Sequence, residues 1–344
     1  MIPLIASALG DPVRAGDMSP ATWTDLVVQA RETGLLARLG ERIDREIGLD
    51  AVPTGPRRHL SGAMAHVRKQ NEDVRREIDW ISQALAPLGV DVVLMKGAAY
   101  VARDMAPATG RSFEDVDILV PEHRLAEVEA ALREHGWTRG DLSRHDARYY
   151  YEWMHQIPPL EHVERSTVLD VHHSILPRTA RPRIFGETLL AESVPVPGMP
   201  GVRTLADTDL LLHSAVHLFN EGEFGHGLRD ISDMDLMLRR HLATGEAAGT
   251  LAARARELGL EVPWAHARHA CATLFDTPLT DASEGGAGLL RRTFHAAILP
   301  HAAGTPWRTV AARHLLYIRG HLLKMPLSLL VPHLWTKMWA ARRE

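Results

Sequence analysis

The sequence predicts an α+β fold, in which a small mixed β-sheet is flanked by helices and further helical regions lie before and after it. An apolar run over residues 90–95 ends at a Lys-Gly turn. Residues 115–120 alternate acidic and apolar side chains, which is the period of a strand with one exposed face. Helical periodicity in the rest of the chain completes the prediction.

The first part of the chain, residues 1–89, is predicted to be helical. Apolar residues recur at helical spacing over residues 22–47, and a longer stripe of the same kind runs over residues 56–88, which predicts amphipathic helices. Pro56 suits a first helical position, and Gly89 suits a helix end. We expect this region to be a structural scaffold. The alternative is that it forms a dimer interface.

The central part, residues 90–176, is predicted to contain the sheet. The expected order is a strand (90–95), a short helix that begins at the glycine turn (98–105), a strand that opens with Asp115 (115–120), an amphipathic helix (121–136), a strand at residues 149–151, and a last strand (166–172). The N-terminal amides of the short helix would be able to receive phosphate oxygens.

The rest of the chain is predicted to form a linker and a helical domain. Residues 177–203 are rich in proline, which is typical of a linker with short irregular pieces. Residues 204–344 carry helical patterns and end in a basic amphipathic tail.

Cysteine content and hydropathy indicate a cytoplasmic protein. Cys271 is the only cysteine, so an intrachain disulfide is excluded, as expected for a reducing compartment. The sequence shows no export pattern and no uninterrupted apolar run that spans a bilayer.

The charge is distributed unevenly along the chain. Residues 285–344 hold nine Lys and Arg residues and one acidic residue, Glu344, which gives this tail a net charge of +8, whereas the whole chain carries −4. We expect the tail to meet an anionic partner, a membrane surface or the acidic front of its own chain. Aromatic and basic residues alternate too sparsely to give a strong nucleic-acid signal.

Acidic residues follow the predicted strands in a pattern suited to metal chemistry. Asp115 and Asp117 are two apart on one strand, so both carboxylates project from the same face. Asp170, between Leu169 and Val171 on the last predicted strand, is the candidate third carboxylate. Such oxygen ligands suit Mg²⁺, and two metal ions can clamp the attacking and leaving oxygens of an in-line displacement.

These motifs resemble the polymerase β-type nucleotidyltransferases, which carry a glycine turn, an hDhDh strand and a lone acid on a later strand. The chain is most similar to the bacterial uncharacterised nucleotidyltransferase family. The resemblance lies in Leu94-Met95-Lys96-Gly97, in Arg111, in the strand that begins Asp115-Val116-Asp117, and in Asp170-Val171-His172. The Gly97-Ala98 turn departs from the wider superfamily, which prefers Gly-Ser or Gly-Gly, and lacks a phosphate-binding hydroxyl.

The resemblance implies transfer of a nucleoside monophosphate from an NTP to an acceptor, with release of pyrophosphate. Asp115 and Asp117 would bind two Mg²⁺ ions, and Asp170 would bind one of them and help to deprotonate the acceptor hydroxyl. Lys96, Gly97, Ala98 and Arg111 would bind the nucleotide, and His172 would line the pocket.

Other interpretations of the same residues stay open. Arg111 could pair with Glu114 or Asp115, Lys96 could be a surface residue, Asp170 a capping or salt-bridging residue, and His172 a core histidine. His213 and His217 are four apart on a predicted helix, a spacing that can chelate zinc. The whole domain could also be a catalytically silent nucleotide-binding or interaction module of a biosynthetic pathway, because the Gly97-Ala98 turn is unusual. The sequence does not identify the acceptor or the base of the NTP.

Overall fold

The computed structural model describes residues 2–222, 224–243, 248–279, 288–301 and 304–332, and within them it confirms the predicted α+β fold. One mixed sheet of seven strands lies among helices. The strands are β1 (Val92–Leu94), β2 (Asp115–Leu119), β3 (Trp137–Thr138), β4 (Leu160–His162), β5 (Val168–His172), β6 (Val194–Pro195) and β7 (Val202–Thr204). The helices are α1 (Leu4–Gly10), α2 (Pro20–Glu32), α3 (Leu36–Glu46), α4 (Thr54–Leu85), α5 (Lys96–Ala102), α6 (Leu125–Glu134), α7 (Arg144–Arg148), α8 (Gly186–Ala191), α9 (Asp207–Glu221), α10 (Gly227–Ala243), α11 (Ala248–Glu257), α12 (Glu261–Phe275), α13 (Leu289–Ile298) and α14 (Trp307–Lys324).

The strand order of the sheet is β3-β4-β5-β2-β1-β7-β6. β2 and β5 are parallel neighbours at its centre, whereas β1 pairs antiparallel with β2 and parallel with β7. Because β2 and β5 run in the same direction, corresponding side chains of the two strands lie side by side on one face of the sheet.

The long helix α4 supports this sheet from the N-terminal region, as the apolar stripe predicts. Its residues Leu60, Met64 and Ile78 are buried in the structure. The helix begins at Thr54, two residues before the predicted start, and the chain leaves the following 3-10 turn at Gly89 with φ +63°. That left-handed conformation favours glycine.

The strand predicted at residues 149–151 is wrong. In the structure these residues belong to a π-helical turn, Tyr149–Trp153, that continues directly from α7. The Ser143 hydroxyl accepts a hydrogen bond from the backbone N–H of Asp146 and caps α7, so the local helix start prevails over the β propensity of three tyrosines. The rings of Tyr149 and Trp153 then meet edge to face, with centroids 6.2 Å apart.

The segment predicted as a linker, residues 177–203, carries part of the sheet. It contains α8, β6 and the start of β7, and β7 pairs with β1 in the register Val92↔Val202. Two- and three-residue strands carry little periodic signal of their own, so their pairing partner decides whether they form. The division of the chain into four regions stays a prediction.

The helices after the sheet partly bury a histidine whose titration affects stability. His266 on α12 packs against the rings of Phe219 and Phe294, with centroids 5.6 and 4.9 Å away. Burial, followed by the positive charges of Arg319 and Arg291, lowers the pKa of His266 to about 4. Unfolded chains bind the proton near pH 6.5, so native stability is lost as the pH falls through the interval between 6.5 and 4.

We expect the free energy of unfolding of wild-type protein to fall by about 1–2 kcal/mol more between pH 7 and pH 5 than that of a His266→Gln variant. Urea unfolding at the two pH values measures the difference. His123, which is exposed on the surface, gives the matched control, and His123→Gln should keep the wild-type pH dependence. Equal pH dependence of wild type and His266→Gln would contradict the expectation.

Candidate active site

The register between β2 and β5 brings the acidic side chains of the two strands together. Asp117 lies opposite Asp170, and Leu119 lies opposite His172. Since alternate residues of a strand share a face, Asp115 and Asp117 of β2 and Asp170 and His172 of β5 all project from the same side of the sheet.

Asp117 is the most enclosed carboxylate of this group and already has two hydrogen-bond donors. Its Oδ1 accepts a bond from Lys96 Nζ at 2.8 Å and contacts His172 Nε2 at 3.0 Å. Burial alone would raise the pKa of Asp117, but the charge of Lys96 and the bond to His172 outweigh burial and lower it well below its ordinary value. Asp117 is therefore ionised at neutral pH.

Asp170 is in the opposite situation. Its Oδ1 is buried and has no hydrogen-bond partner among the described atoms, which is unfavourable for a carboxylate. Burial, followed by the negative charge of Asp117, raises the pKa of Asp170. A bound cation would offset the repulsion between this carboxylate and that of Asp117.

The residues present fit a divalent metal ion. Asp117, Asp170 and His172 each offer a ligand atom, and these atoms all lie within 4.8 Å of one another. The unbonded Oδ1 of Asp170 is available for coordination. The set differs from the predicted trio of Asp115, Asp117 and Asp170, because His172 takes the third place. Carboxylates suit Mg²⁺, whereas an imidazole nitrogen is better matched to Mn²⁺ or Zn²⁺.

Asp115 lies at the start of β2, outside the group of close ligand atoms, and its side chain is exposed. It lines a polar pocket that opens beside the carboxylates. Although the residue is exposed as a whole, surrounding protein atoms desolvate its carboxylate. This desolvation, followed by the charge of Asp117, raises the pKa of Asp115 to about 6. A second metal ion at Asp115 stays a prediction.

A polar pocket of about 230 Å³ opens beside the carboxylates, between the end of the sheet and helices α9 and α10. Its lining mixes cations and anions with a few neutral polar groups. The lining residues include Lys96, Arg111, Asp115, Ser214, His217, Arg229 and Asp230. Ser214, His217 and Arg229 come from regions that the sequence analysis did not connect with the site.

Lys96 is at this pocket and is not a surface lysine. Its side chain is largely buried, and its backbone φ is +43°, at the start of α5. Burial alone would lower the pKa of Lys96, but attraction to Asp117 and Asp115 raises it above its ordinary value. The α5 helix thus begins at Lys96, two residues before the predicted start at Ala98.

Arg111 pairs with a residue that no sequence motif indicated. Its Nε donates to Asp233 Oδ2 at 2.7 Å, so its main partner is on α10 and is neither Glu114 nor Asp115. The guanidinium also lies over the ring of Phe113, 5.0 Å from the centroid. Asp233 in turn accepts a 2.6 Å bond from Arg38. The carboxylate of Asp233 therefore joins the N-terminal helices, the loop before β2 and α10 through two buried ion pairs.

Gly97 is required by protein packing at the Lys-Gly turn. A Cβ at this position would lie 2.4 Å from the Phe113 ring and 2.6 Å from an Arg111 guanidinium nitrogen. The space that a side chain at position 97 would need is therefore already occupied. Ala98, the next residue, is buried. Contact of Gly97 and Ala98 with a nucleotide stays a prediction.

We expect Gly97→Ala to destabilise the protein by about 1–3 kcal/mol, because the added methyl group must displace Phe113 or Arg111. Chemical denaturation measures the loss. Gly140 provides the control, since a Cβ there meets nothing within 4 Å, and Gly140→Ala should change the free energy of unfolding by less than about 0.5 kcal/mol. Equal effects of the two substitutions would show that the turn has room for a side chain.

The histidine pair on α9 does not support the zinc alternative. The rings of His213 and His217 have centroids 6.5 Å apart, and within the described ranges neither residue belongs to a group of close metal ligands. His217 Nε2 instead lies 3.3 Å from Glu221 Oε2.

A mixed sheet with an Asp-x-Asp strand, a parallel neighbour that carries a further acid, and a polar pocket lined by cations and anions beside them define a nucleotidyltransferase-type domain. Over residues 19–276, the chain matches the family described as "Uncharacterised nucleotidyltransferase", and it belongs to that family. No curated protein and no solved structure matches the chain.

Proposed function

We propose that the protein transfers a nucleoside monophosphate from an NTP to an acceptor, with the help of a divalent cation held by Asp117, Asp170 and His172. The observation that carries this proposal is the register pair Asp117↔Asp170 on β2 and β5, with His172 beside it. Family membership supports nucleotidyl transfer in general. The metal and the residue roles are inferred from the geometry.

Each polar residue of the site has a distinct task in this proposal. Lys96, whose ammonium lies between Asp117 and the pocket, moves from Asp117 to a phosphate oxygen when the nucleotide binds. Arg111 presents the edge of its guanidinium to the pocket while Asp233 holds the other side. A planar guanidinium fixed in this way recognises phosphate oxygens without a change of rotamer.

The acceptor needs a base that takes its proton when it attacks the α-phosphorus. Asp170, whose pKa is raised by burial and by the charge of Asp117, is the candidate base, acting directly or through a water. The metal ion, when bound, would offset the negative charge that develops on the phosphoryl oxygens. His172, which contacts Asp117 through Nε2 at 3.0 Å before a metal binds, would supply the nitrogen ligand.

A catalytically silent nucleotide-binding module is the second candidate. It is favoured by one observation: Asp117 Oδ1 is already bonded to Lys96 and His172, so the protein neutralises this carboxylate without a metal. In that case the pocket would bind a nucleotide, and Lys96 would stay on Asp117.

The test uses α-labelled NTPs with full-length protein and Mg²⁺ or Mn²⁺, and it records pyrophosphate release and label transfer. Wild-type protein is expected to release pyrophosphate in the presence of at least one of the metals, and Asp117→Asn protein is not. Equilibrium binding of each NTP, measured in parallel, separates the two candidates. NTP binding without pyrophosphate release, across a panel of hydroxyl and phosphate acceptors, would favour the silent module and contradict nucleotidyl transfer.

A further inference from the structure

Helix α14 has the reverse of the polarity expected for a surface helix. Its buried face carries one large apolar residue, Leu316, and three small residues, Thr309, Ala312 and Gly320. The face that points away from the protein is apolar and large. Its exposed members are Trp307, Val310, Leu315, Tyr317, Ile318, Leu322 and Leu323, with exposed fractions between 36% and 73%.

Most of these exposed residues share one side of the helix, whereas Leu323 lies beside the buried Leu316 on the helical wheel. At about 100° per residue, Trp307, Ile318, Leu322 and Leu315 fall on the half of the helical wheel opposite Leu316. His314 and His321 fall within the same arc, so large apolar side chains dominate this side of the helix without filling it. A monomeric protein rarely leaves so many large apolar side chains exposed together. We call this surface the α14 apolar face and define it by Trp307, Val310, Leu315, Ile318 and Leu322.

Basic residues border the α14 apolar face on both edges. Arg308 and Arg319 lie along one edge, and Arg313 and Lys324 lie along the other. Arg313 and Arg319 donate hydrogen bonds to backbone carbonyls, those of Ala297 and Phe219, so these bonds leave their charges unneutralised. The sequence from residue 288 to residue 332 contains no Asp or Glu.

The helix is held firmly in this orientation. A Cβ at Gly320 would lie 2.6 Å from the carbonyl oxygen of Glu221, and a Cβ at Gly222 would lie 2.9 Å from that of Leu316. These two close approaches fix α14 against the end of α9, so the apolar face cannot turn inward without breaking the α9–α14 packing. Beyond α14, Leu327 and Val331 are also exposed.

We propose that the α14 apolar face docks the protein onto an anionic lipid bilayer, with α14 lying in the plane of the interface. The combination of an apolar face, bordering arginines and an interfacial tryptophan and tyrosine is the composition of such helices. A second copy of the chain fits less well, because a two-fold contact would bring the two basic edges together. None of the described helices has both the length and the apolarity needed to cross a bilayer.

The first experiment measures co-sedimentation of the full-length protein with phosphatidylglycerol–phosphatidylcholine vesicles and with phosphatidylcholine vesicles. Two triple variants are compared: Leu315→Glu/Ile318→Glu/Leu322→Glu on the face, and Val13→Glu/Val163→Glu/Val262→Glu at exposed positions elsewhere. Both variants change the net charge equally. We expect the face variant to lose about tenfold or more of the partition onto anionic vesicles, and the control variant to lose clearly less.

A second measurement does not depend on charge substitution. Cys271 is buried, so a thiol introduced as Leu315→Cys or as Val163→Cys is labelled selectively with an environment-sensitive fluorophore. The label at position 315 is expected to shift its emission to shorter wavelength on anionic vesicles, and the label at 163 is not.

Several results would overturn the proposal. Wild-type protein that stays in the supernatant with anionic vesicles would do so, as would equal binding of the two triple variants or an unchanged emission at position 315. Wild-type protein that forms a dimer without binding vesicles, and that becomes monomeric in the face variant, would assign the face to self-association instead. All of these readouts are independent of nucleotide turnover.

Discussion

Asp170→Asn is expected to abolish nucleotide transfer and, at the same time, to stabilise the metal-free protein. The Asp170 carboxylate faces Asp117 across the register pair and has a buried oxygen without a hydrogen-bond partner. The amide of Asn removes the repulsion and carries an N–H donor in place of one carboxylate oxygen. We expect the free energy of unfolding at pH 7 to rise by about 1 kcal/mol.

The pH dependence of this gain has a definite sign. The pKa of Asp170 is raised in the native protein, so its ionised form destabilises the fold at pH values above that pKa. At acidic pH the carboxyl group is protonated in both native and unfolded chains, and the advantage of Asn disappears. Urea unfolding of wild-type and Asp170→Asn protein at pH 7 and at pH 3.5, without divalent cations, measures this difference.

Turnover should respond in the opposite direction. Loss of one metal ligand removes several kcal/mol of transition-state stabilisation, which corresponds to a decrease of about 10²–10³-fold or more in pyrophosphate release. Asp25→Asn on the exposed side of α2 serves as the control and should leave both stability and turnover unchanged. A variant that keeps wild-type turnover, or that is less stable than wild type at pH 7, would contradict the assignment of Asp170.

Asp233→Asn should be the most destabilising single substitution near the site. The carboxylate of Asp233 accepts bonds from Arg38 and Arg111, and all three side chains are almost fully buried. Replacing the charge leaves the buried guanidinium of Arg38 without its counter-ion and leaves Arg111 with only the 4.0 Å contact to Asp230. Removal of one partner of a buried pair costs about 3–5 kcal/mol. The free energy of unfolding from urea denaturation measures this cost.

Asp235 offers a matched control on the same helix. It is also buried, but its cationic partner, Arg239, is substantially exposed and can be solvated by water. Asp235→Asn should therefore lose only about 1 kcal/mol. Similar losses for Asp233→Asn and Asp235→Asn would show that the Arg38–Asp233–Arg111 cluster does not have the central structural role that its geometry indicates.

The strands that carry the acidic residues could be predicted from sequence, because each contains five residues of alternating or apolar character. The β2 and β5 bounds agree with the prediction within two residues. Asp170 could be proposed as the neighbour of Asp117, since a lone acid between Leu169 and Val171 suits a strand with one polar face. The structure adds the register, which places Asp117 opposite Asp170.

Other parts of the site carry no local signal. The contact between Arg111 and Asp233 joins residues 122 positions apart, and nothing in the α10 sequence separates Asp233 from Asp230 and Asp235. His172 could be placed near the pocket, but its contact with Asp117 depends on strand order. The strands β6 and β7 are too short to show a period of two, so the sheet extends further than the sequence predicts.

A crystal soaked with Mn²⁺ and a non-hydrolysable NTP gives the most direct test of the central claim, which is that Asp117, Asp170 and His172 hold a divalent cation against a triphosphate. The account predicts an anomalous difference peak bonded to these three side chains and to a phosphate oxygen, with the Lys96 ammonium displaced from Asp117. A triphosphate bound elsewhere, or Lys96 still on Asp117 with no metal peak between Asp117 and Asp170, would contradict it.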